Sequence, residues 1–245
     1  MIKTDDGSWT LYSCSDKEAF HSESGAVAES RLVFVQNSGI QKTVTEKERV
    51  RVLEIGYGTG LNFLLTVATA VESQGSIDYV AFDNLLLNSN LLHQLQYDHW
   101  LPSELAAFYQ AWMEWHNRVS IWHASVDTDT EPAKQFTFDY AMASKSAIAL
   151  SLCIADVTKI DFRSFPKFDA IYLDAFSPQT TPQLWSPQML QQWSDCLTIG
   201  GRLVTYCVKA EIQHRLSNAG LTVCKTPGPI GGKREVLIAE KVAIR

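Results

Sequence analysis

The stretch RVLEIGYGTGLNFLL, Arg51 to Leu65, decides the fold. An apolar run, Val52 to Ile55, enters three glycines spaced two apart, and a second apolar run leaves them. The first run has the length of a buried strand, and LNFLLTVATAV, Leu61 to Val71, is long enough for a helix. In the turn between them, Gly56, Gly58 and Gly60 permit positive φ. They also leave out the Cβ atoms that would keep a ligand from the amides at the helix N-terminus. The spacing is not the dinucleotide GxGxxG, because the third glycine comes one residue early. Glu54, near the end of an otherwise apolar strand, is costly to bury unless it has a partner.

Working outward, IDYVAFD (Ile77 to Asp83), IALSLCIAD (Ile148 to Asp156) and FDAIYLDAF (Phe168 to Phe176) read as core strands, the last of the buried parallel type. VSIWHAS (Val119 to Ser125), GGRLVTYCV and REVLIAEKV read as further strands, and Val126 to Ser146 as a loop or hairpin insert. Helices are expected over Asn88 to Trp115, broken near Pro102, and over SPQMLQQWSDCL, whose start is marked by Ser186 and Pro187. Alternating strands and helices predict an α/β, Rossmann-like, mostly parallel doubly wound sheet over residues 46–245. Before it, SWTLYS (Ser8 to Ser13) and RLVFVQ (Arg31 to Gln36) read as strands of a small N-terminal β appendage over residues 1–45.

The 245 residues suit one such domain, and 46% hydrophobic content supplies an ordinary core. No apolar stretch reaches membrane-spanning length, and the start, MIKTDDGSWTLYS, lacks the regions of a signal peptide. Five scattered cysteines without CxxC spacing read as reduced thiols, so a cytoplasmic protein is expected. The six histidines show no metal spacing, and no metal is assigned. The net charge of −6 argues against broad nucleic-acid binding. It is uneven, however: residues 201–245 hold eight Lys/Arg against three Asp/Glu, enough for one local patch toward an anionic partner.

Glu54 followed by Gly56, Gly58 and Gly60 resembles motif I of class I S-adenosylmethionine (SAM) methyltransferases, where the glycine turn accepts the methionine moiety. Asp83 ends the second core strand, where a carboxylate can take both ribose hydroxyls. Asp156 ends the third, where its side chain or adjacent backbone can accept from the adenine amino group. Either aspartate alone is as well explained as a turn or cap residue. Three acids at the C-terminal ends of successive strands beside a glycine turn favour SAM over an NAD-type cofactor or a degenerate fold.

IYLDAFSPQTTPQLWSPQML, Ile171 to Leu190, is the most specific stretch. Asp174 closes a strand expected beside the glycine strand, next to the methyl group, and Phe176, Ser177 and Pro178 form a rigid turn after it. Together with GYGTGLNF, LDAFSPQTTPQLW, GGKREVL and SESGAVAESRLVF, the chain resembles the methyltransferase half of the MnmC-like tRNA 5-methylaminomethyl-2-thiouridine biosynthesis family. The resemblance spans nearly the whole chain and adds Tyr57 and Asn62 to the cofactor set. It implies methyl transfer from SAM to the aminomethyl group of the tRNA wobble uridine. A chain ending at Arg245 is expected to carry no flavin oxidase domain. Ala175, Ser177 and Thr181 replace the family's usual Gly, Ala and Asn, and the late loop GPIGGKRE departs from its glycine-aromatic-glycine form.

An alkylamine acceptor is mostly protonated at neutral pH, so Asp174 is the candidate to orient it and take its proton, directly or through water. Trp185 or Phe176 could stack on a base or simply pack. Lys233 and Arg234 read as tRNA phosphate contacts or as a solvated hairpin tip. By resemblance, Glu29 and Arg31 help close the appendage over the cofactor. Two other readings stay open. One is a methyltransferase or aminopropyltransferase-like enzyme acting on a small amine or other metabolite. The other is a SAM-binding protein without turnover.

Overall fold

Seven residues, Arg49–Ile55, form β5 at the centre of the sheet, with every side chain from Val52 onward buried. A computed structural model describes residues 1–47, 49–126, 133–143 and 146–243 of the chain. Ahead of β5 lie two short hairpins, β1 (Ile2–Lys3) with β2 (Trp9–Thr10) and β3 (Tyr12–Ser13) with β4 (Glu18–Ala19). They are followed by α1 (Ala26–Glu29), a π-helical segment Ser30–Gln36, and α2 (Ile40–Glu46). After β5 come α3 (Leu61–Glu72), β6 (Ser76–Asp83), α4 (Ser89–Gln94), α5 (Ala106–Ala124), β7 (Lys134–Ala141) and β8 (Ala147–Ile154). The remainder is β9 (Phe168–Leu173), α6 (Pro187–Cys196), β10 (Leu197–Thr205), α7 (Ala210–Asn218), β11 (Thr222–Pro227) and β12 (Glu235–Glu240).

The expected doubly wound α/β architecture is present. Eight strands form one sheet in the order β11-β12-β10-β9-β5-β6-β8-β7. The run from β10 to β8 is parallel throughout, while β7 and β12 pair antiparallel with their neighbours. The chain winds from β5 outward through β6 and β8, then returns to β9 on the other side of β5. That reversal opens a crevice at the C-terminal ends of β5 and β9, where doubly wound sheets bind ligands. One core packs α1 to α5 on one face around Phe34, Phe63 and Trp112; the other packs α6 and α7 around Trp185, Trp193 and Leu216. Among the described residues no helix is long and apolar enough to cross a membrane.

Two strand readings are corrected. RLVFVQ is helical, and Val33, Phe34 and Val35 are buried in succession. A strand on a sheet face would alternate; a π-helical turn packed on α3 takes three consecutive apolar side chains inward. The β part of the N-terminal region is therefore only the two hairpins. VSIWHAS is the end of α5, where Trp112, Trp115 and Val119 continue one buried helical stripe and Ile121 points to solvent. The Val126 to Ser146 insert does contain a hairpin strand, β7, paired with β8; its residues 127–132 and 144–145 lie outside the described residues. α7 and β11 were not foreseen.

Candidate functional site

The glycine turn ties β5 to its neighbours before it turns into α3. Asp174 N donates to Ile55 O at 2.9 Å, and the N–H groups of Gly56 and Tyr57 both donate to Phe82 O. Gly56 sits at φ 93, and a Cβ there would lie 2.6 Å from the carbonyl oxygen of Asp174. This close approach brings the end of β9 against the turn. Tyr57 is fixed from behind, its hydroxyl accepting from Trp112 Nε1 at 3.0 Å.

Four acids meet this crevice. Glu54 is fully buried, and its carboxyl accepts from Asn62 Nδ2 at 2.8 Å and from Tyr79 OH at 2.9 Å. Desolvation pushes its pKa up to about 8, against those two hydrogen bonds. The same Asn62 Nδ2 donates to Asp174 Oδ2 at 2.8 Å, so one amide bridges two carboxyls. Burial, then the neighbouring Glu54 and Glu29, hold the Asp174 carboxyl well above the usual range. Asp83 accepts from the N–H groups of Gly58 at 2.8 Å and Leu85 at 3.0 Å, and burial raises its pKa as well. Asp156 is exposed and caps a short turn, accepting from Thr158 N and Thr158 Oγ1 beside Lys159. The capping role that sequence reasoning weighed for it is thus real, and the residue still borders the crevice.

These groups surround a cavity of about 1030 Å³. Gly56, Tyr57, Gly58, Asn62, Asp83, Asp156, Asp174, Phe176 and Lys233 line it, as does Glu29; Glu54 and Gly60 stand behind the wall. Other expected residues are not brought to it. Trp185 is completely buried in the second core and donates Nε1–H to Phe176 O at 2.9 Å, so it supports Phe176 rather than offering a free ring. Ser177 points its hydroxyl and N–H at Glu18, Pro178 lies outside the cavity lining, and Arg234 is exposed. Arg31 Nη2 donates to Trp100 O at 3.0 Å.

Sequence reasoning missed three contributors. Glu18 on β4 accepts from Ser177 N at 3.0 Å, from Ser177 Oγ and from Thr180 Oγ1, clasping the first hairpins to the loop after β9. Phe20 packs edge-on to Phe176 at 5.4 Å between ring centroids. Tyr206, just past β10, lies under Lys233, whose Nζ is 3.6 Å from the ring centroid. None of the three stands in a local motif.

The residues present fit SAM. Asn62 lines the cavity, and its Oδ1 is buried without a partner among the described residues while its Nδ2 bridges the two carboxyls. Gly56, Tyr57 and Gly58 line the cavity, and the Asp83 carboxylate stands at the end of β6, where the ribose portion needs acceptors. Among the described residues no group of three or more His, Cys, Asp or Glu is placed to hold a metal ion.

Comparison with known proteins agrees with the geometry. Residues 121–242 match the model of an S-adenosyl-L-methionine-dependent methyltransferase family. The chain is 27% identical over 234 residues to the tRNA 5-methylaminomethyl-2-thiouridine biosynthesis bifunctional protein MnmC of Ralstonia nicotianae, covering 94% of this chain and 33% of that protein. It is 29% identical over 237 residues to the protein of that name from Acidovorax sp., covering 94% and 34%. The chain thus spans about a third of the length of the curated relatives it matches. Among solved structures, MnmC2 from Aquifex aeolicus shares the fold at a TM-score of 0.69 and 23% identity, over 99% of this chain and 70% of that one. The similarity to MnmC read from the sequence therefore holds along nearly the whole chain. With fold, cofactor crevice and family match in agreement, the chain is an S-adenosyl-L-methionine-dependent methyltransferase.

Proposed function

We propose that this methyltransferase acts on the aminomethyl group of 5-aminomethyl-(2-thio)uridine at the tRNA wobble position. The observation that carries the reading is the placement of Asp174, just past β9, against the glycine turn, bridged to Glu54 by Asn62 and lining a cavity that Glu18 and Glu29 also line. A raised pKa makes the carboxylate a better base for an alkylammonium. The names of the relatives that match along 94% of the chain support the same substrate. A cytoplasmic enzyme follows from it.

When bound, SAM supplies a methyl group on a positively charged sulfonium. The residues here do the rest. Asp83 and the glycine turn would hold the cofactor, and Asn62 fixes Asp174 through Nδ2. Asp174 would turn the acceptor amine toward the methyl group and take the ammonium proton first, which frees the nitrogen lone pair for transfer. Positioning supplies most of the rate. Phe176, braced by Phe20 and Trp185, gives the base a wall. Residues 1–45, through the Glu18 clasp, close over the cofactor, and Arg234 contacts phosphate.

The departures from the family in the acceptor loop do not call for another substrate. Ser177 bonds to Glu18, and Thr181 Oγ1 donates to Phe176 O at 2.7 Å, so both hydroxyls serve the loop itself. The test uses labelled SAM and bulk tRNA from cells lacking the aminomethyl methylation step, followed by digestion to nucleosides. Label in 5-methylaminomethyl-uridine nucleosides, lost in Asp174→Ala, supports the reading. Unlabelled tRNA with intact SAM binding would replace it with a small amine acceptor, and SAM binding without turnover on any amine with a non-catalytic protein.

A further inference from the structure

Lys233 reads in the sequence as a phosphate contact or a solvated hairpin tip, and like Arg234 it is exposed, but its ammonium lies over the face of Tyr206 at the cavity. The residue lies on the turn between β11 and β12, where Gly228 N donates to Arg234 O at 2.9 Å and Gly232 N to Pro229 O at 3.0 Å. Ser24 Oγ donates to Gly231 O at 2.6 Å and ties this turn to the N-terminal region. From there the side chain reaches into the cavity and sets Nζ over the face of Tyr206. Among the described residues it donates no hydrogen bond and has no carboxylate within ion-pair distance. An ammonium held only by an aromatic face and surrounding charge sits as a guest cation does.

The seat itself is built. Tyr206 is fixed by its hydroxyl, which donates to Ala175 O at 2.8 Å, the residue after Asp174, and its ring meets Trp185 edge-on at 6.4 Å. Glu18, Glu29 and Asp174 line the same cavity. Their charges favour the Lys233 ammonium, although partial desolvation pulls its pKa down overall. Glu29 is itself buried, with one carboxylate oxygen occupied by Ser22 N at 2.6 Å. Aromatic face plus carboxylates is the chemistry that recognises an alkylammonium.

We propose that the face of Tyr206, ringed by Glu18, Glu29 and Asp174, is the subsite for the ammonium of the acceptor, and that Lys233 occupies it in the free enzyme as a placeholder. The acceptor's cation displaces Lys233, whose flexible four-carbon stem carries the charge out along the cavity mouth. The subsite then holds the amine beside Asp174, which receives its proton. This selects acceptors that carry a cationic amine on a short arm and disfavours neutral ones. The inference rests on the amine-acceptor reading above, but not on the acceptor being tRNA.

The test replaces Lys233 by the uncharged, similarly long methionine. Tetramethylammonium chloride is the probe in saturation-transfer NMR of the whole chain, with potassium chloride matching ionic strength. Removing an internal competitor raises apparent affinity by the fraction of sites it held, so Lys233→Met should bind the probe roughly two- to thirty-fold more tightly than the wild type. Adding Tyr206→Leu should abolish the gain, and Tyr206→Phe, which keeps the ring, should retain most of it. With tRNA as acceptor, Lys233→Met should lower the acceptor KM while the KM for SAM stays put. Probe binding no tighter than wild type, or an acceptor KM that rises because a phosphate contact is lost, overturns the proposal. Tighter probe binding with no methylation of tRNA sustains the ammonium subsite and sinks the tRNA reading alone.

Discussion

Replacing Gly56 by alanine tests whether the contact between the glycine turn and the end of β9 sets the site. The new Cβ would lie 2.6 Å from Asp174 O, 2.9 Å from Asp174 C and 3.1 Å from Ala175 N, all backbone atoms that cannot swing aside. The φ of 93 adds about 1–2 kcal/mol of left-handed strain for a residue with a Cβ. Relieving the overlap costs about 1–3 kcal/mol more, by analogy with overpacked cores. The total of about 2–5 kcal/mol corresponds to a Tm loss of roughly 4–20 °C for a chain of this size. If β9 yields instead, Asp174 moves, and a shift of about 1 Å costs roughly 100-fold in rate. Gly220→Ala is the control: it sits at φ 82, but its Cβ would meet nothing within 4 Å, so it carries the strain alone. Thermal unfolding and single-turnover methyl transfer are measured on both. A Gly56→Ala protein that melts with Gly220→Ala and transfers methyl groups within twofold of wild type would refute the reasoning.

Asp174→Asn should keep the Asn62 contact yet lower single-turnover methyl transfer by roughly 10²–10⁴; a loss below tenfold removes Asp174 as the base. Glu18→Gln weakens a carboxylate that accepts from Ser177 and Thr180, a loss of about 1–3 kcal/mol. Proteolysis within residues 12–24 and SAM dissociation should both accelerate, and unchanged rates of each would reject the clasp. His116 is buried with neither ring nitrogen paired among the described residues, and desolvation pulls its pKa down to about 4. A depressed histidine stabilises the fold above its unfolded pKa of about 6.5 and loses that contribution as pH falls toward 4. His116→Phe should therefore gain Tm relative to wild type between pH 7 and pH 5, and a flat difference would exclude this effect. Glu54, with its pKa pushed up to about 8, is mostly protonated at pH 7. Binding of the cationic cofactor should ionise it and release protons, with affinity rising from pH 6 to pH 8. Calorimetry in buffers of different ionisation enthalpy reads the release, and none at pH 7 would refute the linkage.

The sheet and the cofactor crevice are legible because each depends on local spacing. A strand end, three glycines and a helix start fix where Glu54, Gly56 and Asp83 lie relative to one another within one βαβ unit. Asp174 follows by the same logic one strand over. The two misread segments fail for a shared reason. RLVFVQ and VSIWHAS are short windows rich in β-branched and aromatic residues, and strand propensity there reflects packing more than backbone preference. Tertiary burial overrode it: Val119 completes a stripe begun at Phe108, a period visible only over the whole of α5. α7 escapes because only Ile212 and Leu216 of its nine residues are buried, too few to mark a period. The acceptor wall is less legible still. Glu18 and Ser177 are 159 residues apart in sequence, and nothing local to either announces the other.

What the spacing could not convey is that the acids share one desolvated hole, and that sharing explains their number. An alkylamine that arrives protonated brings a second cation beside the sulfonium before it gives up its proton. At about 4 Å and an effective dielectric of about 20, two unit charges repel by about 4 kcal/mol. A neutral cavity would meet that repulsion unaided. Glu54, Asp83, Asp174 and Glu29 instead present carboxyls whose pKa values burial raises, that of Glu54 to about 8. A cation beside these carboxyls favours their ionised forms, so their titrations are coupled to one another and to cation binding. The Lys233 ammonium on Tyr206 supplies the matching charge before the acceptor arrives. On this reading the acceptor wall does not merely admit an amine; the empty enzyme already carries the charge pattern of the occupied one, with its own lysine in the acceptor's place.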